Sequence, residues 1–284
     1  MRNVEYNLIV NTVEKMCMDA NYFLPEDTFN AIRNSYEIEE SETARSILEK
    51  CIENAEIAAN ENMAICQDTG LAVFFIKLGV DVRIVNGRTG LIYDAVNDGV
   101  ASGYEKGFLR KSVLSDPLYD RKNTGNNLPA VIHMELTDGE AIEIIIAPKG
   151  GGAENMSRLA MLAPSDGEKG IIDFVVETVR KAGGNPCPPV VLGVGIGGNF
   201  ENSALLAKKA LLWPAGERNS DERYDRLEKL ILDKVNNTGI GPQGLGGRVT
   251  CLSVHIEWQP CHLASLPVAV NINCHAHRHV KVVI

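Results

Sequence analysis

Val190-Val191-Leu192-Gly193-Val194-Gly195-Ile196-Gly197-Gly198 is an apolar run punctuated by glycines, and an apolar-periodic helix is predicted after it over residues 200–211. The run predicts a strand over 190–194, with a Gly-rich turn leading from it into that helix. Its glycines formally satisfy the Gly-x-Gly-x-x-Gly dinucleotide fingerprint. That fingerprint also requires a second parallel strand ending in an acidic residue roughly 20 positions on. Here the helix runs into Trp213-Pro214-Ala215-Gly216 and the charged stretch Arg218-Asn219-Ser220-Asp221-Glu222-Arg223 instead. A doubly wound nucleotide fold is set aside on that missing strand.

Outward from this run, the periodicity predicts a mixed α/β (α+β) fold, an N-terminal helical segment followed by a mixed sheet with flanking helices. Residues 1–60 read as helices. Ala44, Ile47, Leu48, Cys51, Ile52, Ala55, Ala58 and Ala59 form one apolar stripe at steps of three and four. Short strands are predicted over 71–78 and 80–85, and a helix over 88–104. The apolar runs 131–136 and 141–147 flank Thr137-Asp138-Gly139-Glu140, a hairpin signal. Helices over 166–182 and 224–235 and strands near 249–257 and 267–272 complete the pattern. No stretch has linker composition, so residues 1–284 read as a single domain.

The chain has 284 residues, 45% hydrophobic and 23% charged, enough for a sizeable core. Its 28 Lys and Arg against 37 Asp and Glu leave a net charge of -9. That surface repels phosphate backbones, and aromatics at 6% offer few stacking platforms, so no nucleic-acid partner is expected. No apolar run reaches the roughly 18 residues of a membrane span, and none follows Met1 as a secretory signal. The reading is cytoplasmic. In a reducing compartment seven cysteines are not a disulfide framework but core thiols, nucleophiles or metal ligands.

Cys17 and Cys51 fall on apolar helix faces and read as core. Cys66, Cys187 and Cys274 instead sit in irregular polar segments: Cys66-Gln67-Asp68-Thr69-Gly70, Asn185-Pro186-Cys187-Pro188-Pro189 and Asn273-Cys274-His275-Ala276-His277-Arg278. No CxxC pair occurs, which disfavours zinc ribbons and ferredoxin-type ligation. Three thiolates from three loops suit a four-iron cluster with one open, Lewis-acidic iron. Cys251 and Cys261 compete for the third place. They rank lower, because Cys251 falls inside an apolar strand and Cys261 lacks the strand-to-loop setting of Cys274.

A different class stays open. If residues 274–279 form a strand, His275, His277 and His279 share one face, and with Cys274 they suit zinc in a hydrolase or binding module. The competing reading of this stretch is a solvated polar tail. After Glu257 there is no Asp or Glu, only Arg278, Lys281 and four histidines, a local positive region suited to an anionic ligand. Lys149-Gly150-Gly151-Gly152-Ala153-Glu154-Asn155 places three glycines before a predicted helix, an anion cradle or a tight turn. Gly239-Ile240-Gly241-Pro242-Gln243-Gly244-Leu245-Gly246-Gly247-Arg248 reads as a long shaped loop.

Taken in order, five motifs carry a resemblance. They are Cys66–Gly70, Lys122-Asn123-Thr124-Gly125-Asn126-Asn127-Leu128-Pro129, Lys149–Asn155, Cys187-Pro188-Pro189 with Gly195–Gly198, and Gly239–Gly247. The set resembles the α-subunit, or N-terminal half, of class I iron–sulfur fumarases and L-tartrate dehydratases, over nearly the whole chain. The resemblance implies that family's N-terminal-domain fold and a [4Fe-4S] hydro-lyase interconverting fumarate and L-malate. L-tartrate or mesaconate are the alternative substrates. The Gly150–Asn155 sequence leans toward fumarase.

By motif position, Cys66, Cys187 and Cys274 match the cluster ligands, and Gln67 and Asp68 match residues at the substrate. Arg110 resembles a carboxylate-binding arginine, Gly151 a substrate-contacting turn, and His262 a family histidine. Asp68 is the expected acid/base for the hydroxyl, its alternative being a turn-capping aspartate. Where the family usually reads Cys-Trp-Ala-x-Arg-Arg, this chain has Cys274-His275-Ala276-His277-Arg278-His279, which weakens any role for the second arginine. The family's C-terminal β domain has no counterpart before Ile284. The resemblance therefore implies a separate β-subunit, an α2β2 assembly on a C4-dicarboxylate, and little activity from this chain alone. A purely structural subunit is the remaining option.

Overall fold

The computed structural model describes residues 1–284, and the chain divides into two compact units, Met1–Pro25 with Ala55–Gly151 and Arg278–Ile284, and Glu26–Asn54 with Gly152–His277. Mixed α/β architecture is what the structure shows.

In the first unit, β1 (Arg2–Glu5) pairs in parallel with β3 (Val82–Val85), and α1 (Tyr6–Tyr22) follows β1 directly. Residues 2–5 are thus a strand, not the helix start expected there. Four residues are too few to display a period, and Val4 is buried by a pairing 80 positions away. A four-stranded sheet contains β2 (Leu71–Gly79), β4 (Val131–Thr137), β5 (Ile142–Lys149) and β10 (Val280–Val283), in the order β10-β5-β2-β4. In β5, Ile142, Ile144 and Ile146 alternate onto one fully buried face, each contributing roughly 1.5–3 kcal/mol of apolar burial. α1 and α4 (Ile92–Lys106) present Ile9, Val13, Met16, Val96 and Val100 to the same core.

The expected hairpin across Asp138-Gly139 does not form. β4 runs parallel to β2 and β5 antiparallel to it, so β2 lies between them. The 137–141 segment wraps the end of β2, with Gly79 N donating to Ala141 O (2.9 Å) and Asp81 N to Gly139 O (3.0 Å). A local turn signal carries no information about a third strand filling the slot.

In the second unit, α2 (Glu26–Ile38) and the first part of α3 (Glu42–Glu61) precede a sheet of order β6-β9-β7-β8. Its strands are β6 (Arg158–Leu162), β7 (Val190–Gly197), β8 (Cys251–Gln259) and β9 (Leu266–Asn273). β7 is central and buried throughout, parallel to β8 and antiparallel to β9. Val190, Leu192, Val194 and Ile196 face a core shared with α6 (Gly167–Ala182) and α8 (Glu222–Asn236). The opposite face carries Gly193 and Gly195, against α7 (Phe200–Ala210). A Cβ on them would come within 2.0 Å of Ala207 O and Ser203 O respectively. These glycines let a helix lie on the strand backbone, a packing reason for the fingerprint-like spacing. The short α5 (Gly151–Glu154) precedes β6, and β6 and β10 are strands the sequence pattern did not single out. No helix is long and apolar enough to cross a membrane.

Candidate active site

In the first unit, Cys66–Gly70 forms the loop entering β2, and five residues outside the loop fasten it. Asp68 Oδ1 accepts from Gly70 N (3.1 Å), an Asx-turn, and Asp68 Oδ2 accepts from Gly151 N (2.8 Å). Asp68 N donates to Cys66 Sγ at 3.4 Å, and the Asp68 carbonyl accepts from the Arg278 guanidinium at 3.0 Å. Thr69 Oγ1 donates to the Arg110 carbonyl (2.9 Å), and the buried Tyr104 hydroxyl lies 3.0 Å from Thr69 O and 3.1 Å from Gly70 O. Asn127, fully buried, donates to Gly70 O and accepts from Ser112 N. The Cys66–Gly70, Lys122–Pro129 and Lys149–Gly151 motifs, far apart in sequence, therefore meet here around Asp68. The Arg110 and Gln67 side chains are exposed beside this loop.

Arg278 is a member of this cluster that sequence reasoning left without a role. Its side chain is buried, one terminal nitrogen donates to Asn21 Oδ1 (2.9 Å), and its Nε is buried without a partner. A guanidinium stays charged when buried, so it fixes positive charge beneath the Asp68 loop. Its signals in the sequence were the absence of acid after Glu257 and its place at the first arginine of the family's Cys-Trp-Ala-x-Arg-Arg pattern.

In the second unit, Cys187 and Cys274 lie at the same end of the sheet, because Val191 pairs with Asn273. His275 N donates to Cys187 O (3.3 Å), tying the two loops together. Cys187 is exposed with φ +56, a conformation costly for a non-glycine residue. Gln243, likewise left-handed at φ +54, reaches both loops through its side-chain amide. Cys261 and His262 occupy the β8–β9 connection, beyond the Gly197–Gln259 pair at the other end. Seven strand residues separate the two ends, about 20 Å. The structure thus brings Cys187 and Cys274 together and places His262 away from them.

Burial sorts the thiols. It pushes Cys17 far up, Cys251 up to about 12, and Cys51 up to about 11, the last helped by its neighbours Cys274 and Cys187. Such thiols stay protonated and are poor ligands. Cys66 and Cys274 are half-buried on loops and Cys187 is exposed, so none belongs to an apolar core. No three His, Cys, Asp or Glu side chains are gathered into a ready-made ion cage. The fit to an iron–sulfur group is therefore one of donor chemistry: loop thiols free of the burial that silences Cys17, Cys51 and Cys251, a freedom that Cys261 shares at the other end of its sheet. The zinc alternative required a strand through 274–279, but β9 ends at Asn273 and β10 begins at Val280. His275 Nδ1 instead lies 3.0 Å from Cys187 O, and His277 Nδ1 lies 2.8 Å from Asn273 Nδ2.

The family model for fumarate hydratase (Fumerase) matches residues 10–283. The chain belongs to the fumarate hydratase family. Among curated relatives of this family member, a Methanocaldococcus jannaschii protein provisionally named L(+)-tartrate dehydratase subunit alpha is 43% identical over 273 residues, covering 95% of each chain. The L(+)-tartrate dehydratase subunit alpha of Escherichia coli strain K12 is 33% identical over 257 residues, covering 90% of this chain and 84% of its own. The counterpart in E. coli strain UTI89 is 34% identical over the same length.

Proposed function

We propose that this chain is the α-type subunit of a cytoplasmic hydro-lyase that hydrates fumarate to L-malate, residues 1–284 acting as one functional module. A separate β-type subunit would complete the active centre in an α2β2 assembly. The observation that carries the reading is the Asp68 carboxylate, held by the Gly70 and Gly151 backbone N–H groups on a loop whose own Asp68 N–H donates to Cys66 Sγ, in a chain of this family. Adding water across a double bond requires one group to manage the hydroxyl proton and another to move the C3 proton. Asp68 takes the first task. Its turn-capping bonds aim it, and a carboxylate has lone pairs left after accepting two hydrogen bonds.

Arg110 offers its guanidinium fork to a substrate carboxylate, with Gln67 and the Gly151 turn as neighbouring contacts. Cys66, Cys187 and Cys274 would hold a [4Fe-4S] cluster, which when bound supplies Lewis acidity toward the hydroxyl oxygen and a carboxylate. The C3 base is assigned to the β-type subunit. His262, the second proposed catalytic residue, lies at the far end of its sheet from Cys187 and Cys274. A second reading, L(+)-tartrate dehydration, is favoured by the names of the curated relatives; mesaconate hydration belongs in the same substrate panel.

The test is anaerobic co-expression with the β-type subunit, followed by iron and sulfide analysis and assays on fumarate, L-tartrate and mesaconate. The expected protein is brown, with broad absorbance near ~400 nm, and turns over fumarate fastest. Asp68→Asn should retain iron while kcat falls by about 10²–10⁴-fold. A colourless zinc protein, or unchanged kcat in Asp68→Asn, overturns the assignment.

A further inference from the structure

Among the residues given no role in the reaction above, Gln243 combines side-chain chemistry, backbone strain and position. We propose that Gln243 is a positioning residue that clamps the Cys187 loop to the Cys274 loop and so sets the spacing of these two thiols. The role in catalysis rests on the hydro-lyase reading above; the clamp itself does not.

Gln243 N donates to Pro188 O at 2.8 Å, and its side-chain Nε2 donates to the same oxygen at 3.0 Å. That Nε2 also lies 3.2 Å from His275 Nδ1. One amide therefore touches the residue after Cys187 and the residue after Cys274. The His275 tautomer selects whether its Nδ1 accepts from Gln243 or donates to Cys187 O. Cys187 O receives the His275 backbone N–H in either case.

Strain marks the same place. Gln243 and Cys187 both adopt left-handed backbone, at φ +54 and +56. Conformations of this kind persist only where surrounding bonds over-determine them, and they concentrate at functional positions. If the turn alone mattered, glycine would occupy 243 without strain; what glycine lacks is the amide. The loops also touch backbone to backbone, since a Cβ on Gly244 would meet Gly184 Cα at 2.6 Å. The far end of the Gln243 loop is pinned independently. The buried Glu39 accepts from Arg248 N (2.8 Å) and Val249 N (3.0 Å) through one oxygen, and from Glu40 N and Ser41 N through the other. The loop thus has a fixed base and a side chain that fixes the thiols.

Two variants test this, Gln243→Gly, which relieves the strain and keeps the backbone donor, and Gln243→Met, which keeps the volume and removes the amide. The full chain, reduced and iron-free, is treated with a bifunctional thiol cross-linker, and the Cys187–Cys274 product is quantified by peptide mapping. Losing the amide bonds should lower its yield by about fivefold, with the melting temperature unchanged. In the assembled, iron-loaded enzyme, the same variants should lose iron to a chelator faster than wild type. Unchanged cross-linking in both variants overturns the clamp, and so does early melting of both, which would make Gln243 a structural residue. Reduced cross-linking in a protein that never takes up iron sustains the clamp and removes the hydro-lyase reading alone.

Discussion

His255 on β8 shows how one side chain ties stability to pH. Its ring is 1% exposed, its Nε2 lies 2.7 Å from Ser253 Oγ, and it stacks on Trp213 with centroids 6.1 Å apart. Nδ1 is buried with no partner. Burial pushes its pKa down to about 4, against the opposing pull of Asp27. An unfolded histidine titrates near 6.5, so between these values the unfolded chain binds a proton that the native chain refuses. The neutral ring's contribution is complete above about pH 6.5 and is lost as pH falls toward 4, on the order of 3 kcal/mol in all. Urea unfolding at pH 7 and pH 4.5 should show this loss, and His255→Phe should flatten it. Residue-level legibility was mixed. Asp68 could be read as a turn cap or as an acid/base group, and the structure shows the cap without displacing the second role. Arg278 and Gln243 stayed silent because their value lies in backbone carbonyls supplied by distant loops.

At the scale of elements, the strand–helix pair β7–α7 was legible because a continuous apolar run and a 3.6-residue period each report burial locally. The tightness of their contact was not. Gly195→Ala places a methyl against Ser203 O, so it should lower the unfolding free energy by ~1–3 kcal/mol through overpacking, read as a lower denaturant midpoint at constant slope. Two further elements escaped for opposite reasons. β6 is short and only half-buried, giving weak contrast. β10 alternates over Val280-Lys281-Val282, but only its pairing with β5 gives that alternation a half-buried side. The Asp138-Gly139 turn failed as a hairpin because β2 pairs with both flanking strands.

For the whole molecule, register accomplishes what spacing hides. Cys261 stands only 13 positions before Cys274, yet β9 lies between them and carries the chain from one end of its sheet to the other. Sequence distance would have paired these thiols; the sheet pairs Cys274 with Cys187 instead, 87 positions away. The Cys66–Gly70, Lys122–Pro129 and Lys149–Gly151 motifs were legible as a set, whereas the hydrogen bonds joining them were not. Since the proposed C3 base belongs to another subunit, the purified chain should show no measurable fumarate hydration until the β-type subunit is added. Turnover by the single chain would contradict the division of labour.

β10 has one more consequence, and it concerns biosynthesis. The edge of the first unit's sheet is supplied by residues 280–283, which leave the ribosome only after every segment of the second unit has been made. During synthesis β5 is therefore made long before β10 and waits with an open edge for its last neighbour. A nascent chain stalled shortly before Val280 would expose that edge, and it is there that a chaperone or a wayward strand would find its purchase.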